Sequence, residues 1–257
     1  MLLTSDYHTH TVFSHGKGTI EENAIMAAKL NLKELGISDH GFAHPVFGLT
    51  KKKLPKMRSL CDEATKKTGV KVLLGIESNI IGTDGTVDLK PKLYDYFDVF
   101  LAGIHKFVLY KFKSIFSLAC PNLFCSTFNK KEISKKLIKT NTKTIINVIK
   151  NNPVDVITHL NFCSFTDVKE IAKACQDYGT YIELNAKKIH LTEQELQTLA
   201  DTDVRFVINS DAHTPLRVGE ISLIEKQLEK INFPLDRIDN IDGRLPNFRF
   251  SNFKKGV

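Results

Sequence analysis

No run of roughly eighteen uncharged apolar residues occurs anywhere in the chain, so a membrane-spanning helix is not expected. The first residues, MLLTSDYHTH, lack the charged, apolar and small-residue order of a secretory leader and read as a first strand instead. The five cysteines (Cys61, Cys120, Cys125, Cys163 and Cys175) include no CxxC pair, and an odd number cannot all pair within one chain. A thiolate zinc site and a disulfide framework are both disfavoured, and a reducing, cytoplasmic compartment is expected. No linker divides the 257 residues and no repeat beyond an alternation of elements is visible. A single domain over 1–257 is therefore expected, long enough for one large core.

What is present is ordinary for a globular protein: 42% hydrophobic and 25% charged residues rule out a disordered chain. The net charge of +7 favours anionic substrates. Nine lysines lie between Lys106 and Lys143, so part of the excess is local. Nucleic acid stays open as a partner on charge alone, no membrane partner is expected, and the oligomeric state is not legible.

Seven runs rich in Val, Ile and Leu read as buried strands: 2–8, 33–40, 70–78, 97–105, 154–160, 180–186 and 204–213. Helical patterns fall between most of them, at 20–31, 54–68, 130–151, 166–178, 193–201 and 219–231. Asn129 with Glu132, and Thr192 with Glu195, fit capping boxes, and Asn152-Pro153 stops the 130–151 helix. Such alternation implies an α/β fold with parallel strands, closed as a barrel or left as an open sheet. One stretch breaks the rhythm. Residues 106–128 are rich in Phe and Lys, have no clean period, and read as a lid, a specificity loop or an insertion on the barrel side.

The histidines carry the chemistry. His8, His10, His15, His40, His105, His159 and His213 all lie at or just after the predicted C-terminal end of a strand, as do Glu77 and Asp211. In a parallel α/β fold that edge is where sites assemble. With a strand period of two, His8 and His10 face one way, as do Asp211 and His213, so each pair can converge on one ion. A lone strand-end histidine is commonly structural, and His44 and His190 are read so. Nine ligands exceed the needs of one ion; seven imidazoles and two carboxylates suit three, with one carboxylate bridging. Imidazole-rich ligation favours Zn, Mn or Fe over Mg or Ca.

The ordered set His8-x-His10, His15, His40 in SDH, Glu77 in GIE, His105, His159 and SDAH at 210–213 resembles the PHP (polymerase and histidinol phosphatase) superfamily, closest to its small stand-alone phosphatases. TNTKTIINVIKN (140–151), GE (219–220) and FPLDRIDNI (233–241) resemble the same branch. The resemblance implies a distorted seven-stranded (β/α)7 TIM-like barrel with a trinuclear centre of divalent transition-metal ions. By position, His8, His10, Glu77 and Asp211 would hold one ion. Glu77 would bridge to a second, held also by His105 and His159. His15, His40 and His213 would hold the third. The implied reaction is phosphoester hydrolysis by a metal-bound hydroxide. The stretch 106–128 is longer than that branch leads one to expect.

Around this set, Asp6 and Asp39 are candidate helpers, either orienting ligand imidazoles or capping backbone amides. Arg217 is a candidate phosphate or carboxylate clamp, or else a solvated surface arginine. Lys17 and Lys106 are weaker candidates. Glu183 and Asn185 end the sixth strand on one face, within reach of the site, and Gly16 and Gly18 shape the loop carrying His15. The expected function is a phosphomonoesterase acting on a small phosphorylated metabolite, histidinol phosphate being one version. A nucleic-acid phosphodiesterase or exonuclease is the rival enzyme, and a binding module with structural metals is the rival of another class.

Overall fold

The buried runs become seven strands: β1 (Ser5–Thr9), β2 (Glu34–Ile37), β3 (Lys71–Asn79), β4 (Val99–Gly103), β5 (Val156–Ile157), β6 (Tyr181–Asn185) and β7 (Phe206–Asn209). The structure, a computed structural model, describes residues 1–127 and 134–256. The strands are all parallel and pair in chain order from β1 to β7. Their residues are buried on both faces, which explains apolar runs without clean alternation. Nine helices among the described residues surround or follow them: α1 (Ile20–Lys29), α2 (Leu54–Thr68), α3 (Phe112–Ser114), α4 (Cys120–Thr127), α5 (Lys135–Asn151), α6 (Val168–Tyr178), α7 (Glu193–Ala200), α8 (Ser222–Lys230) and α9 (Arg249–Lys255).

The result is a distorted (β/α)7 barrel, and the distortion sits at the seam between β1 and β7. Thr9 and Ala212 bridge in parallel, with the His10 amide donating to the Ala212 carbonyl at 2.8 Å. Elsewhere along the seam, side chains replace the ladder. The Tyr7 amide donates to Asn209 Oδ1 at 2.8 Å. Asn240 accepts from the Ile208 amide at 2.8 Å and donates to the carbonyls of Ser5 (2.8 Å) and Ile208 (2.6 Å). A buried asparagine thus supplies the donor and acceptor that a missing strand would have offered. On the outside, Asp155 accepts from the amides of Phe100 in β4 and Phe250 in the first turn of α9, tying the last helix to the barrel.

Helix signals behave as their chemistry requires. Thr192 and Glu195 form the expected capping box, and a second one joins Thr19 and Glu22 ahead of α1. The helix expected at 130–151 is described from Lys135 and ends at Asn151, before Pro153; its expected cap, Asn129 with Glu132, lies outside the described residues. The stretch after β4 is helical rather than a loop through residues 112–127. A π turn, Ile115–Ala119, separates α3 from α4. The wider turn breaks the 3.6-residue period, which is why no period is visible in the sequence. Ser114, Leu118 and Asn122 form its buried stripe, and Asn122 and Asn141 of α5 exchange side-chain amide bonds of 2.8 and 2.9 Å.

Candidate metal centre

The C-terminal ends of the strands bring the nine ligand-type side chains together around Glu77 of β3. Glu77 Oε1 lies 2.6 Å from His159 Nε2, 2.9 Å from His105 Nε2 and 3.3 Å from His8 Nε2. Its Oε2 lies 2.8 Å from His40 Nδ1 and 3.7 Å from His10 Nε2. Asp211 Oδ1 lies 3.4 Å from His10 Nε2 and 3.9 Å from His8 Nε2. The two Nε2 atoms of His8 and His10 are 3.1 Å apart, as the two-residue period of β1 requires. His15 sits at the rim, its ring centroid 4.2 Å from that of His213 and 4.7 Å from that of His40.

Local backbone choices make this convergence. Asp211 (φ +49°) and His159 (φ +27°) are non-glycine residues in or near the left-handed region. His159 turns the chain just past β5, which ends at Ile157 short of the run expected, and Asp211 does so just past β7. Such strain persists where surrounding structure holds it, and here both residues belong to the cluster. Gly103 makes room: a Cβ there would meet Thr158 Oγ1 at 2.4 Å and the His159 ring at 2.8 Å. Gly16 likewise lets the His15 loop lie on the His10 carbonyl, which a Cβ would meet at 2.6 Å.

Electrostatics bind the group into one unit. Burial alone would raise the Glu77 carboxyl, but the imidazoles of His105, His8 and His40 outweigh it and hold it well below the usual carboxylate range. Burial opposes protonation of His8 too, yet Glu183, Glu77 and Asp211 raise it well above an ordinary imidazole. His10 goes the other way, held well below by burial and by His40 and His213. Burial and the neighbouring His213 and His40 bring His15 down to about 4. These are groups of strongly unlike proton affinity crowded into one buried space.

Several polar atoms there lack a hydrogen bond. Glu77 Oε2, His10 Nδ1, His40 Nδ1 and His105 Nδ1 are buried without a partner. His40 Nδ1 and Glu77 Oε2 are close, but not in hydrogen-bond geometry. Buried polar atoms without a partner are costly unless something else engages them. Among the described residues, three triads have ligand atoms within 4.8 Å of one another: His8–His10–Asp211, His10–His40–His213 and His40–Glu77–His105. Imidazole nitrogens and carboxylate oxygens are the donor set of transition-metal sites, so these residues fit divalent ions.

The supporting residues differ in what they touch. Asp6 accepts from the Ser210 hydroxyl (2.5 Å) and from the amides of Ser210 and Gly219 (3.1 and 3.0 Å). Asp39 accepts from the Thr11 amide and hydroxyl (2.8 and 2.6 Å) and from Ser14. Both aspartates thus hold the ligand-bearing loops through backbone and hydroxyl groups, not through imidazoles. The carboxylate that does meet an imidazole is Glu183, 2.7 Å from His8 Nδ1; it also accepts from the His159 amide at 2.7 Å and from Asn185 and Asn209. Arg217 is exposed in the short 3-10 turn Pro215–Arg217 and does not line the cavity.

That cavity, about 300 Å³, opens onto the cluster, and its lining brings in Lys106, Lys187 and Lys188 with Phe47 and Phe162. Lys187 Nζ lies 3.3 Å from Asp211 Oδ1 and 3.1 Å from His213 Nδ1. Sequence reading missed Lys187 because β6 ends without a histidine, so nothing marked the loop beyond it. Its position two residues past Asn185, on the same rim, is the signal that was there. His44 and His190 also line the cavity, so their structural reading does not remove them from the site's walls.

The chain is similar to proteins named as phosphatases. Probable phosphatases of Caldanaerobacter subterraneus and Shigella flexneri are 29% and 27% identical to this chain, over 93% and 95% of it and 87% and 92% of their own lengths. The fold matches histidinol phosphate phosphatase of Lactococcus lactis, solved with zinc, L-histidinol and phosphate. That TM-score is 0.60 at 14% identity, covering 96% of this chain and 100% of that one. The model of the PHP domain matches residues 6–187, from β1 through the loop after β6, and the chain belongs to that family.

Proposed function

We propose that this protein is a metal-dependent phosphomonoesterase that hydrolyses small phosphorylated metabolites at a site of three divalent ions. The carrying observation is the convergence of buried imidazole nitrogens and carboxylate oxygens on Glu77, with Glu77 Oε2 and His40 Nδ1 unpaired. In this reading His8, His10, Asp211 and Glu77 hold one ion, Glu77 with His105 and His159 a second, and His15, His40 and His213 the third. Zn, Mn and Fe all suit the donor set, and the zinc-bound relative from Lactococcus lactis favours zinc. Bound ions would supply Lewis acidity at the phosphoryl oxygens and acidify a water into a nucleophile at neutral pH.

The chain's own residues do the rest. Glu183 takes the Nδ1 proton of His8 as its hydrogen-bond donor and leaves Nε2 free to face the cluster. Lys106, Lys187 and Lys188 line the entrance and draw a phosphate dianion inward. Phe47 and Phe162 flank the same entrance and offer apolar surface to the rest of the substrate. Asp6 and Asp39 keep the β1 and β2 loops in register with the β7 loop. Histidinol phosphate is one substrate of this class, since its phosphatase shares the fold. The free thiols Cys61, Cys120, Cys163 and Cys175 accord with a cytoplasmic location, which is part of this reading.

The test is elemental analysis of protein prepared without chelator, together with phosphate release from p-nitrophenyl phosphate and its bis ester. Close to three ions per chain with monoester cleavage supports the proposal. Metal with bis-ester cleavage alone points to the phosphodiesterase. Metal without any hydrolysis leaves a metal-stabilised binding module.

A further inference from the structure

The cavity over the cluster is unequal in charge. Its lining contributes three lysines, Lys106, Lys187 and Lys188, and two carboxylates, Glu77 and Asp211. Both carboxylates are engaged. Glu77 is buried among imidazoles, and Asp211 faces His10 and the Lys187 ammonium, which is 3.3 Å away. Among the described residues, no lining carboxylate is left for a cation on a bound molecule. Of the three lysines, Lys187 alone is in an ion pair among the described residues. Lys106 and Lys188 keep their charge for something that enters.

The backbone that presents these lysines is tied down. Asn185, the last residue of β6, accepts from the amides of Lys187 (3.0 Å) and Lys188 (3.2 Å) and donates to Glu183 at 3.0 Å. The turn bearing both lysines is thereby joined to the carboxylate that meets His8. Lys106 follows His105, whose carbonyl accepts from the Tyr110 hydroxyl at 2.6 Å. Strand order puts β5 between β4 and β6, so Lys106 and Lys188 come from the two sides of the loop after β5. Phe162 of that loop packs against His159 and His190, ring centroids 5.0 and 4.9 Å away. Lys187 is the lysine that touches the cluster, through Asp211 and His213.

We infer that the substrate is a phosphomonoester whose organic part carries a carboxylate, received by Lys106 and Lys188 while the phosphate meets the cluster and Lys187. This rests on the phosphomonoesterase reading above. Two ammonium groups without counter-charges, lining one cavity, repel each other and any cationic group that enters; a carboxylate relieves that repulsion. Its hydrogen bonds to lysine are charge-assisted and of the stronger kind. The cavity, about 300 Å³, is at the small end of ligand pockets, which suits a short phosphorylated acid rather than a nucleotide. Esters with a cationic organic part are the disfavoured members of the class. Histidinol phosphate, which carries an ammonium group, is one of these.

The experiment measures kcat/KM of the metal-loaded full chain for three esters that differ in the charge of their organic part. These are 3-phosphoglycerate (carboxylate), glycerol 3-phosphate (neutral) and O-phosphoethanolamine (ammonium), with p-nitrophenyl phosphate as the control for monoester cleavage. The parent should prefer 3-phosphoglycerate to glycerol 3-phosphate by roughly tenfold or more, with O-phosphoethanolamine the poorest. Lys106→Ala/Lys188→Ala should bring the first ratio to within about twofold of unity, chiefly through KM. The ratio of two esters is read, so a general loss of activity in the variant cancels. Lys188→Ala alone should move the ratio the same way by less, and it serves if circular dichroism shows the double variant unfolded. Lysines that only steer the phosphate would lower all three esters alike, and that result would overturn the inference. So would a parent without preference, or one that prefers O-phosphoethanolamine. Those results leave the phosphatase reading standing, because p-nitrophenyl phosphate is still cleaved. No release from p-nitrophenyl phosphate would sink that reading, and the inference with it.

Discussion

Glu77 is the residue on which the site turns, because its two oxygens face five imidazoles. Replacing it with alanine removes the ligand proposed to be shared and leaves His105, His159 and His40 without their counter-charge. Glu77→Ala should lower metal content by two ions per chain and phosphate release by roughly a thousandfold. Elemental analysis with a phosphate assay reads both, and retention of all ions would break the bridging scheme. His190→Ala should leave metal content unchanged, as its ring packs against Phe162 on the cavity wall, centroids 4.9 Å apart. Glu183→Gln tests positioning rather than ligation. The amide can no longer fix the His8 ring as a carboxylate does, so metal affinity should fall by about 10–100-fold with the fold intact. Competition with a chromogenic chelator measures it. A variant that binds metal like the parent would show that His8 needs no such support.

At the scale of elements, strand and helix order was legible because a β/α barrel writes itself as buried runs alternating with capped helices. The ligand-type histidines were legible because they stand at strand ends, where the two-residue period aligns them. Two kinds of feature were not. The π turn at Ile115–Ala119 hides a helix from any test for a 3.6-residue period. Asn240 and Asp155 act across long sequence separations, on Ser5, Ile208 and Phe250, and a lone buried asparagine or aspartate carries no local signature. The roles of Asp6 and Asp39 were ambiguous for the same reason: adjacency to a histidine motif does not say whether a carboxylate meets a ring or an amide. Asn240→Ala should cost about 2–4 kcal/mol, since it leaves three buried backbone groups at the seam unpaired. Urea denaturation measures it. A cost below about 1 kcal/mol would mean water replaces the amide there.

For the whole molecule, burying so many ionisable groups in one place makes ion binding and folding one equilibrium. The cluster gathers crowded imidazoles around a carboxylate whose Oε2 has no hydrogen-bond partner, an arrangement that bound ions would satisfy. Chelation should therefore lower the thermal midpoint by several degrees, and zinc or manganese should restore it, because a ligand bound by the native state alone stabilises that state by mass action. Scanning calorimetry with and without chelator reads the shift, and an unmoved midpoint would mean that the empty cluster is as stable as a filled one. The seam has a consequence in time. β1, bearing His8 and His10, is made well before the residues that cover its free edge among the described residues, Ala212, Asn209 and Asn240. A nascent chain must keep that edge out of wrong pairings until β7 and Asn240 have been made. The histidine cluster thus cannot close until Asp211 and His213 emerge, long after His8 and His10 have done so.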